Sequence, residues 1–85
     1  MIRPGQELWF QKDGRVLQVI VTSEERRGFH AVLMTNTELP ESMLNDVAQP
    51  SELFDAELAA VDSAIGWLSA RLVSLKYREN LLKKP

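Results

Sequence analysis

The chain has 85 residues, a formal net charge of −2 and no cysteine, which fits one small domain and excludes disulfides, thiolate metal sites and cysteine nucleophiles. Its acidic pI of about 5.3 argues against nonspecific nucleic-acid binding, which needs a concentrated basic surface. The N-terminus has no apolar core of a signal peptide and we expect no membrane span, so the sequence predicts a cytoplasmic protein.

The first two strands are predicted on either side of Asp13-Gly14. This pair favours a two-residue hairpin turn, because both turn positions need a positive φ that aspartate and glycine tolerate. Placing the turn there pairs Phe10 with Leu17 and puts their side chains on the same sheet face.

A third strand is predicted after the charged turn 23–28. Pairing Val21 with Phe29 across this turn completes a three-stranded antiparallel meander over residues 6–34. One face of the meander then has no polar member: Leu8, Phe10, Leu17, Val19, Val21, Phe29, Ala31 and Leu33. We expect a helix to cover this face, giving two layers around one core.

The opposite face of the predicted meander is also unusually apolar. It carries Trp9, Val16, Gln18, Ile20, His30, Val32 and Met34. A sheet with one wet face normally alternates apolar with polar residues, and a contiguous apolar patch usually marks an interface. We therefore expect either the C-terminal segment or a second chain to cover this face.

Residues 35–50 form a polar, acidic connecting loop, broken by Leu39-Pro40 and Gln49-Pro50. A short helical turn over 41–45 and a short fourth strand near Met43 both fit this segment. It is long for a structureless connection, so we expect local order in it or a functional role.

The C-terminal segment predicts one long helix over residues 51–79, with Ser51 as N-cap and a frayed tail over 80–85. An apolar stripe with 4-3 spacing supports it: Phe54, Leu58, Val61, Ile65, Leu68, Leu72 and Leu75. A second row runs beside it: Leu53, Ala56, Ala60, Ala64 and Trp67. We expect the stripe up to Ile65 to cover the sheet and the rest to project beyond Gly66, which marks a kink, a break or a close approach of another backbone.

Charge is segregated along this helix and the loop before it. From Glu38 to Asp62 there are seven acidic residues and no lysine or arginine, whereas from Ser63 to Pro85 there are five basic residues and one acidic residue. This order complements the helix macrodipole. It would also match acidic halves with basic halves if two such helices lay antiparallel, and both interpretations remain open.

No motif for catalysis, metal binding or cofactor binding stands out. His30 is the single histidine, and we interpret it as a structural or interfacial side chain, because no nucleophile or orienting carboxylate can be assigned to it. Asp55 and Asp62 share a helix face and are interpreted as solvated surface. We predict no catalytic residue, no metal and no cofactor.

Part of the chain resembles a known arrangement. The glycine-led strand Gly28-Phe29-His30-Ala31, the Leu39-Pro40 loop and the helix from Glu52 to Leu68 follow one another as in the βββα domains of HicB-like antitoxins. The resemblance covers about half of the chain and implies a protein that binds another protein. The chain departs from the family's Asp-Leu-Pro-Gly loop, because it reads Glu38-Leu39-Pro40-Glu41, and it has no appended DNA-binding segment.

Together these patterns predict a two-layer α+β domain, a three-stranded antiparallel meander packed on one long C-terminal helix. The expected function is noncatalytic self-association as a dimer through apolar helix and sheet surfaces. The candidate interface residues are Trp9, Ile20, Val32, Met34, Trp67, Leu68, Leu72 and Leu75. The alternatives are an antitoxin-like or inhibitor-like protein that binds another protein, and a small-ligand binder with a cavity at a dimer interface walled by Trp9, Trp67 and Met34.

Overall fold

A computed structural model describes residues 2–25, 28–35 and 38–84. It shows an α+β fold, in which one antiparallel sheet is followed by one long C-terminal helix. The strands are β1 (Glu7–Lys12), β2 (Arg15–Glu24), β3 (His30–Met34), β4 (Asn45–Ala48) and β5 (Leu53–Phe54), and the helix is α1 (Glu57–Lys83). The strand order across the sheet is β4-β3-β2-β1-β5. The predicted fold class is confirmed, but the sheet has five strands instead of three.

The two additional strands come from the segment predicted as connecting loop and helix start. A 3-10 turn over Glu41–Met43 leads into β4, which pairs with β3. A second 3-10 turn, Pro50–Glu52, precedes β5, which pairs with β1. Both the helical turn and the fourth strand considered for the loop are therefore present, with the strand just after Met43.

The first hairpin agrees with the sequence-based prediction. Phe10 lies opposite Leu17 and Trp9 opposite Gln18. Asp13 and Gly14 adopt φ values of 55° and 83°, which is the left-handed backbone that a two-residue hairpin turn of this type requires. The turn is correctly predicted because its chemistry is local to two residues.

The second hairpin has a different register from the predicted one. Val21 pairs with Val32 instead of Phe29, and a bulge separates Val21 from Ser23. The shift is three residues, and any shift by an odd number of residues moves every side chain of a strand to the opposite face. Residues of β3 expected on the outer face, including Val32 and Met34, therefore point into the core. Arg26 and Arg27, in the predicted turn, lie outside the described residues.

The hydrophobic core lies on one face of the sheet. It consists of Leu8, Phe10, Val19, Val21, Val32, Met34, Ala48 and Leu53, and Ile2, Leu17, Leu39 and Leu44 pack against it. Lys12 Nζ on β1 lies 3.2 Å from Asp46 Oδ1 on β4, although β2 and β3 separate these strands. In a flat sheet β1 and β4 would lie about 14 Å apart, so this sheet curls around its core.

The helix packs on the opposite face, so the prediction that it covers the face of Leu8 and Phe10 is wrong. Successive side chains of a strand point to opposite faces, and Gln11 therefore points away from the face of Phe10. Gln11 donates a hydrogen bond from Nε2 to Ser63 Oγ of α1, at 3.1 Å, and accepts one at Oε1 from the Gly14 N–H, at 2.8 Å. The core face is closed by the sheet's own curl and by loop residues.

The helix begins at Glu57 instead of Ser51 and ends at Lys83 instead of Glu79. The later start has a local cause. Gln49 and Glu52 cap the 3-10 turn reciprocally, and the Gln49 N–H donates to Glu52 Oε1 at 2.9 Å. Residues 53–54 are then extended in β5, and α1 starts after Ala56, which provides no side-chain cap.

The helix runs unbroken through Gly66 and gives the molecule an elongated shape. Its 27 residues span roughly 40 Å. The chain measures 55 × 28 × 26 Å, and its radius of gyration is 15.8 Å, against about 12 Å expected for a compact chain of this length. From Leu68 to Lys84 every residue is exposed, so the second half of α1 projects from the sheet.

Candidate interaction surface

One side of α1 is an uncovered apolar surface in the described chain. We call it the leucine stripe: Leu58, Val61, Ile65, Leu68, Leu72 and Leu75. Val61 is half-buried, and the other five side chains are between 48% and 69% exposed. Five of the six stripe residues are thus exposed, including Leu58 and Ile65, which were expected to contact the sheet.

The side of α1 that contacts the sheet belongs to the alanine-rich row instead. Ala60 and Ala64 are buried, and Trp67 is half-buried. Small side chains allow the helix backbone to approach the bulky side chains of this sheet face closely. Of the two apolar rows recognised in the sequence, the alanine row forms the intramolecular contact and the leucine stripe is left over.

A second uncovered apolar area lies on the same sheet face as the helix. The helix contacts β1, β2 and β5 and leaves the β3–β4 half of the face open. There Leu33 is 37% exposed and Val47 is 46% exposed. Leu33 lies opposite Ile20, and Val47 lies opposite Ala31. We call these four residues the β3–β4 patch, although Ile20 belongs to the neighbouring strand β2.

The leucine stripe and the β3–β4 patch lie on adjoining sides of one groove. Leu68 covers the β1–β2 turn, since a Cβ added to Gly14 would be 2.7 Å from Leu68 Cγ. Ser63 contacts Gln11 and Leu68 lies over Gly14, so α1 runs in the same direction as β1. With Ala60 and Ala64 on the sheet, the right-handed turn of the helix then directs the stripe toward β2 and the strands beyond it. The sheet forms the floor of the groove and α1 forms its wall.

The charge of the exposed side chains changes from acidic to basic along α1. Exposed acidic side chains, Glu57 and Asp62, lie in its first two turns. Exposed basic side chains fill its second half: Arg71, Lys76, Arg78, Lys83 and Lys84. The Arg71 guanidinium lies 5.3 Å from the centre of the Trp67 ring, and Lys83 pairs with Glu79 at 3.6 Å.

The eight predicted interface residues fall into three groups. Val32 and Met34 are 1% and 6% exposed, in the core, so their predicted place on the outer face is wrong. Trp9, Ile20 and Trp67 are half-buried on the helix side of the sheet. Leu68, Leu72 and Leu75 are exposed on one continuous stripe.

Four exposed residues of the leucine stripe and the β3–β4 patch were missing from the predicted set. Leu58 and Ile65 carry the same 4-3 signal as the residues that were chosen, and they were assigned to the wrong contact. Leu33 was missed because the register change at the bulge puts it on the opposite sheet face from the predicted one. Val47 was missed because a fourth strand was only one of two alternatives for its segment.

A cavity of about 350 Å³ opens on the core face of the sheet. Phe10, Leu17 and Met34 contribute to its lining, and the Lys12–Asp46 pair lies at it. Trp9 and Trp67 are not part of this lining and lie on the helix side. Met34 and the two tryptophans therefore do not wall one cavity within the chain.

The single histidine is buried at the start of β3, where it pairs with Glu24 and Ala48 in the sheet. It faces the core side with Val32, and its Nδ1 has no hydrogen-bond partner in the described part of the chain. Within residues 2–25, 28–35 and 38–84, no group of three or more histidine, aspartate or glutamate side chains is arranged to hold a metal ion.

The expectation that the chain has no membrane span stays a prediction. By length and composition alone, α1 is a helix long and apolar enough to cross a membrane.

Comparisons with protein-family models, curated proteins and solved structures find no match for this chain.

Proposed function

We propose that this chain is a noncatalytic interaction module that forms a homodimer through the leucine stripe of α1. The observation that supports it is the exposure of five of the six stripe residues on a helix whose sheet contact uses a different side. A continuous apolar surface of this kind usually marks an interaction site. A second copy offers the same stripe, and a two-fold dimer brings the stripe against itself.

A membrane is the other environment that would accept such a helix, and three features argue against it. The first half of α1 is held on the sheet by Ala60, Ala64 and the Gln11–Ser63 hydrogen bond. The free part from Leu68 to Lys83 is roughly 24 Å long, shorter than the hydrocarbon core of about 30 Å. Arg71 lies within this free part, and arginine inside a bilayer is costly. The proposed setting is therefore cytoplasmic.

The test compares two double variants by sedimentation at micromolar concentration. Leu68→Lys with Leu72→Lys places two charges on the stripe, and we expect it to be monomeric while keeping the circular dichroism of the folded sheet. Val73→Lys with Leu81→Lys is the matched control, since both residues are exposed and lie on the other side of the helix. We expect the control to have the dimer mass of the wild-type chain.

Three outcomes would contradict the proposal. A wild-type chain that is monomeric at micromolar concentration would favour a different protein as the partner, as in an inhibitor. Loss of the dimer only in the control variant would place the contact on the opposite side of α1. Flotation of the wild-type chain with lipid vesicles would assign the stripe to a membrane.

A further inference from the structure

We infer that the two helices of the dimer lie antiparallel, with the free basic end of each helix seated in the partner's groove between the leucine stripe and the β3–β4 patch. This inference rests on the proposed self-association and specifies its geometry. It follows from the positions of charges beside the stripe, from the pairing of apolar layers and from the uncovered sheet area.

The charges beside the stripe disfavour a parallel pair. The stripe residues occupy the two core positions of a heptad repeat, which places Glu57, Arg71 and Arg78 on one flank and Asp62, Lys76 and Lys83 on the other. In a parallel pair each residue of the first flank meets the partner residue five positions later. Glu57 would then meet an aspartate, and both arginines would meet lysines.

An antiparallel pair reverses this relation. The acidic start of one helix then lies beside the basic end of the other, and Glu57 shares a flank with the partner's Arg78, about two residues (roughly 3 Å) away along the axis. The helix dipoles also oppose each other, which is favourable. Both Glu57 and Arg78 are exposed in the single chain, so both are available for this contact.

The apolar layers match in the same arrangement. With the two-fold axis between Ile65 and Leu68, Leu58 packs against the partner's Leu75, Val61 against the partner's Leu72, and Ile65 against the partner's Leu68. Each contact occurs twice, and no charged residue enters a layer. Glu79, which follows in the repeat, lies beyond the overlap.

The β3–β4 patch completes the contact. The stripe from Leu58 to Leu75 covers only about two and a half heptads, whereas coiled coils are recognised from three or four. In the antiparallel arrangement the partner's residues 69–76 run alongside residues 57–64, where α1 lies on the sheet. The partner's helix end therefore passes over the open half of the sheet, beside Leu33 and Val47.

Charge reversal distinguishes the two orientations by the sign of its effect. For antiparallel helices, Glu57→Arg or Arg78→Glu alone creates like charges at two symmetric contacts, and we expect roughly five- to tenfold weaker dimerisation. The double variant restores opposite charges and recovers the wild-type dissociation constant, which general damage to the helix could not produce. For parallel helices each single reversal creates attraction and strengthens the dimer.

Cysteine cross-linking provides the second measurement, because the natural chain has no cysteine. A mixture of the Glu57→Cys and Arg78→Cys chains is expected to give the mixed disulfide, while the two identical positions lie about 30 Å apart along the axis. Same-residue disulfides would overturn the antiparallel inference and leave the dimer intact. A wild-type monomer by sedimentation would overturn the proposed function itself.

Discussion

At the scale of single residues, Gln11 is the side chain that fixes the helix on the sheet. It is 7% exposed, and its amide joins the β1–β2 turn through Gly14 to the helix through Ser63. A buried amide with both ends bonded is stabilising, whereas one left unpaired is costly. The sequence shows only a glutamine beside a turn, because its partner Ser63 is 52 residues away.

Replacing either of the two glycines nearest this contact by alanine is expected to change stability, in opposite directions. Gly14 has a φ of +83°, and an added Cβ would be 2.7 Å from Leu68, whereas Gly66 lies in the helix with nothing within 4 Å of such a Cβ. We expect Gly14→Ala to lower the free energy of unfolding by about 1–2 kcal/mol. We expect Gly66→Ala to raise it by up to about 1 kcal/mol, because alanine favours helix.

Urea unfolding of the two glycine variants beside the wild-type chain measures both effects. A destabilising effect of Gly66→Ala would show that another backbone lies against Gly66 in the assembly. An unchanged stability of Gly14→Ala would show that the turn does not hold the left-handed conformation in solution.

At the scale of elements, local signals were predicted well and long-range pairing was not. The first hairpin was correct because Asp13-Gly14 determines its own turn. The second was shifted because the bulge after Val21 depends on which residues β3 offers as partners. The short strand β5 has two residues, too few to produce an alternating pattern. Both apolar rows of α1 were visible, but choosing between them required the shape of the sheet face.

The curl of the sheet gives a prediction at this scale. Lys12 and Asp46 join β1 to β4, with side chains 44% and 34% exposed. At such exposure solvent screens the pair, so we expect a coupling energy of at most about 1 kcal/mol from a double-mutant cycle of Lys12→Met and Asp46→Asn. A coupling well above that value would mean that the ion pair, instead of the core beneath it, holds the curl.

At the scale of the whole molecule, the chain is a small body with a projecting arm. The body has a core on one sheet face and a helix contact on the other, so most of its apolar side chains are buried within the chain. Beyond the contact of Leu68 with the β1–β2 turn, the arm projects into solvent, and every residue from Leu68 to Lys84 is exposed. The leucine stripe and the charge gradient in this arm are the features that a second copy would use.

The projecting arm has a consequence for folding. Short helices without tertiary contacts are marginal in water, so the part of α1 from Leu68 to Lys76 is expected to become ordered as the dimer forms. Helical content measured by far-ultraviolet circular dichroism should therefore rise with protein concentration. The Leu68→Lys, Leu72→Lys variant should keep, at every concentration, the helical content of the dilute wild-type chain. Concentration-independent helicity in the wild-type chain would contradict this coupling.

The same arm contains Arg71, Lys76 and Arg78 within about two helical turns, and arginine and lysine are the residue types that trypsin-like proteases cut. If the arm frays in a chain without a partner, as expected above, these sites become accessible, whereas in the proposed dimer they lie on ordered helix. Dimerisation would then determine the lifetime of the chain in the presence of such proteases, because a monomer exposes its cleavage sites.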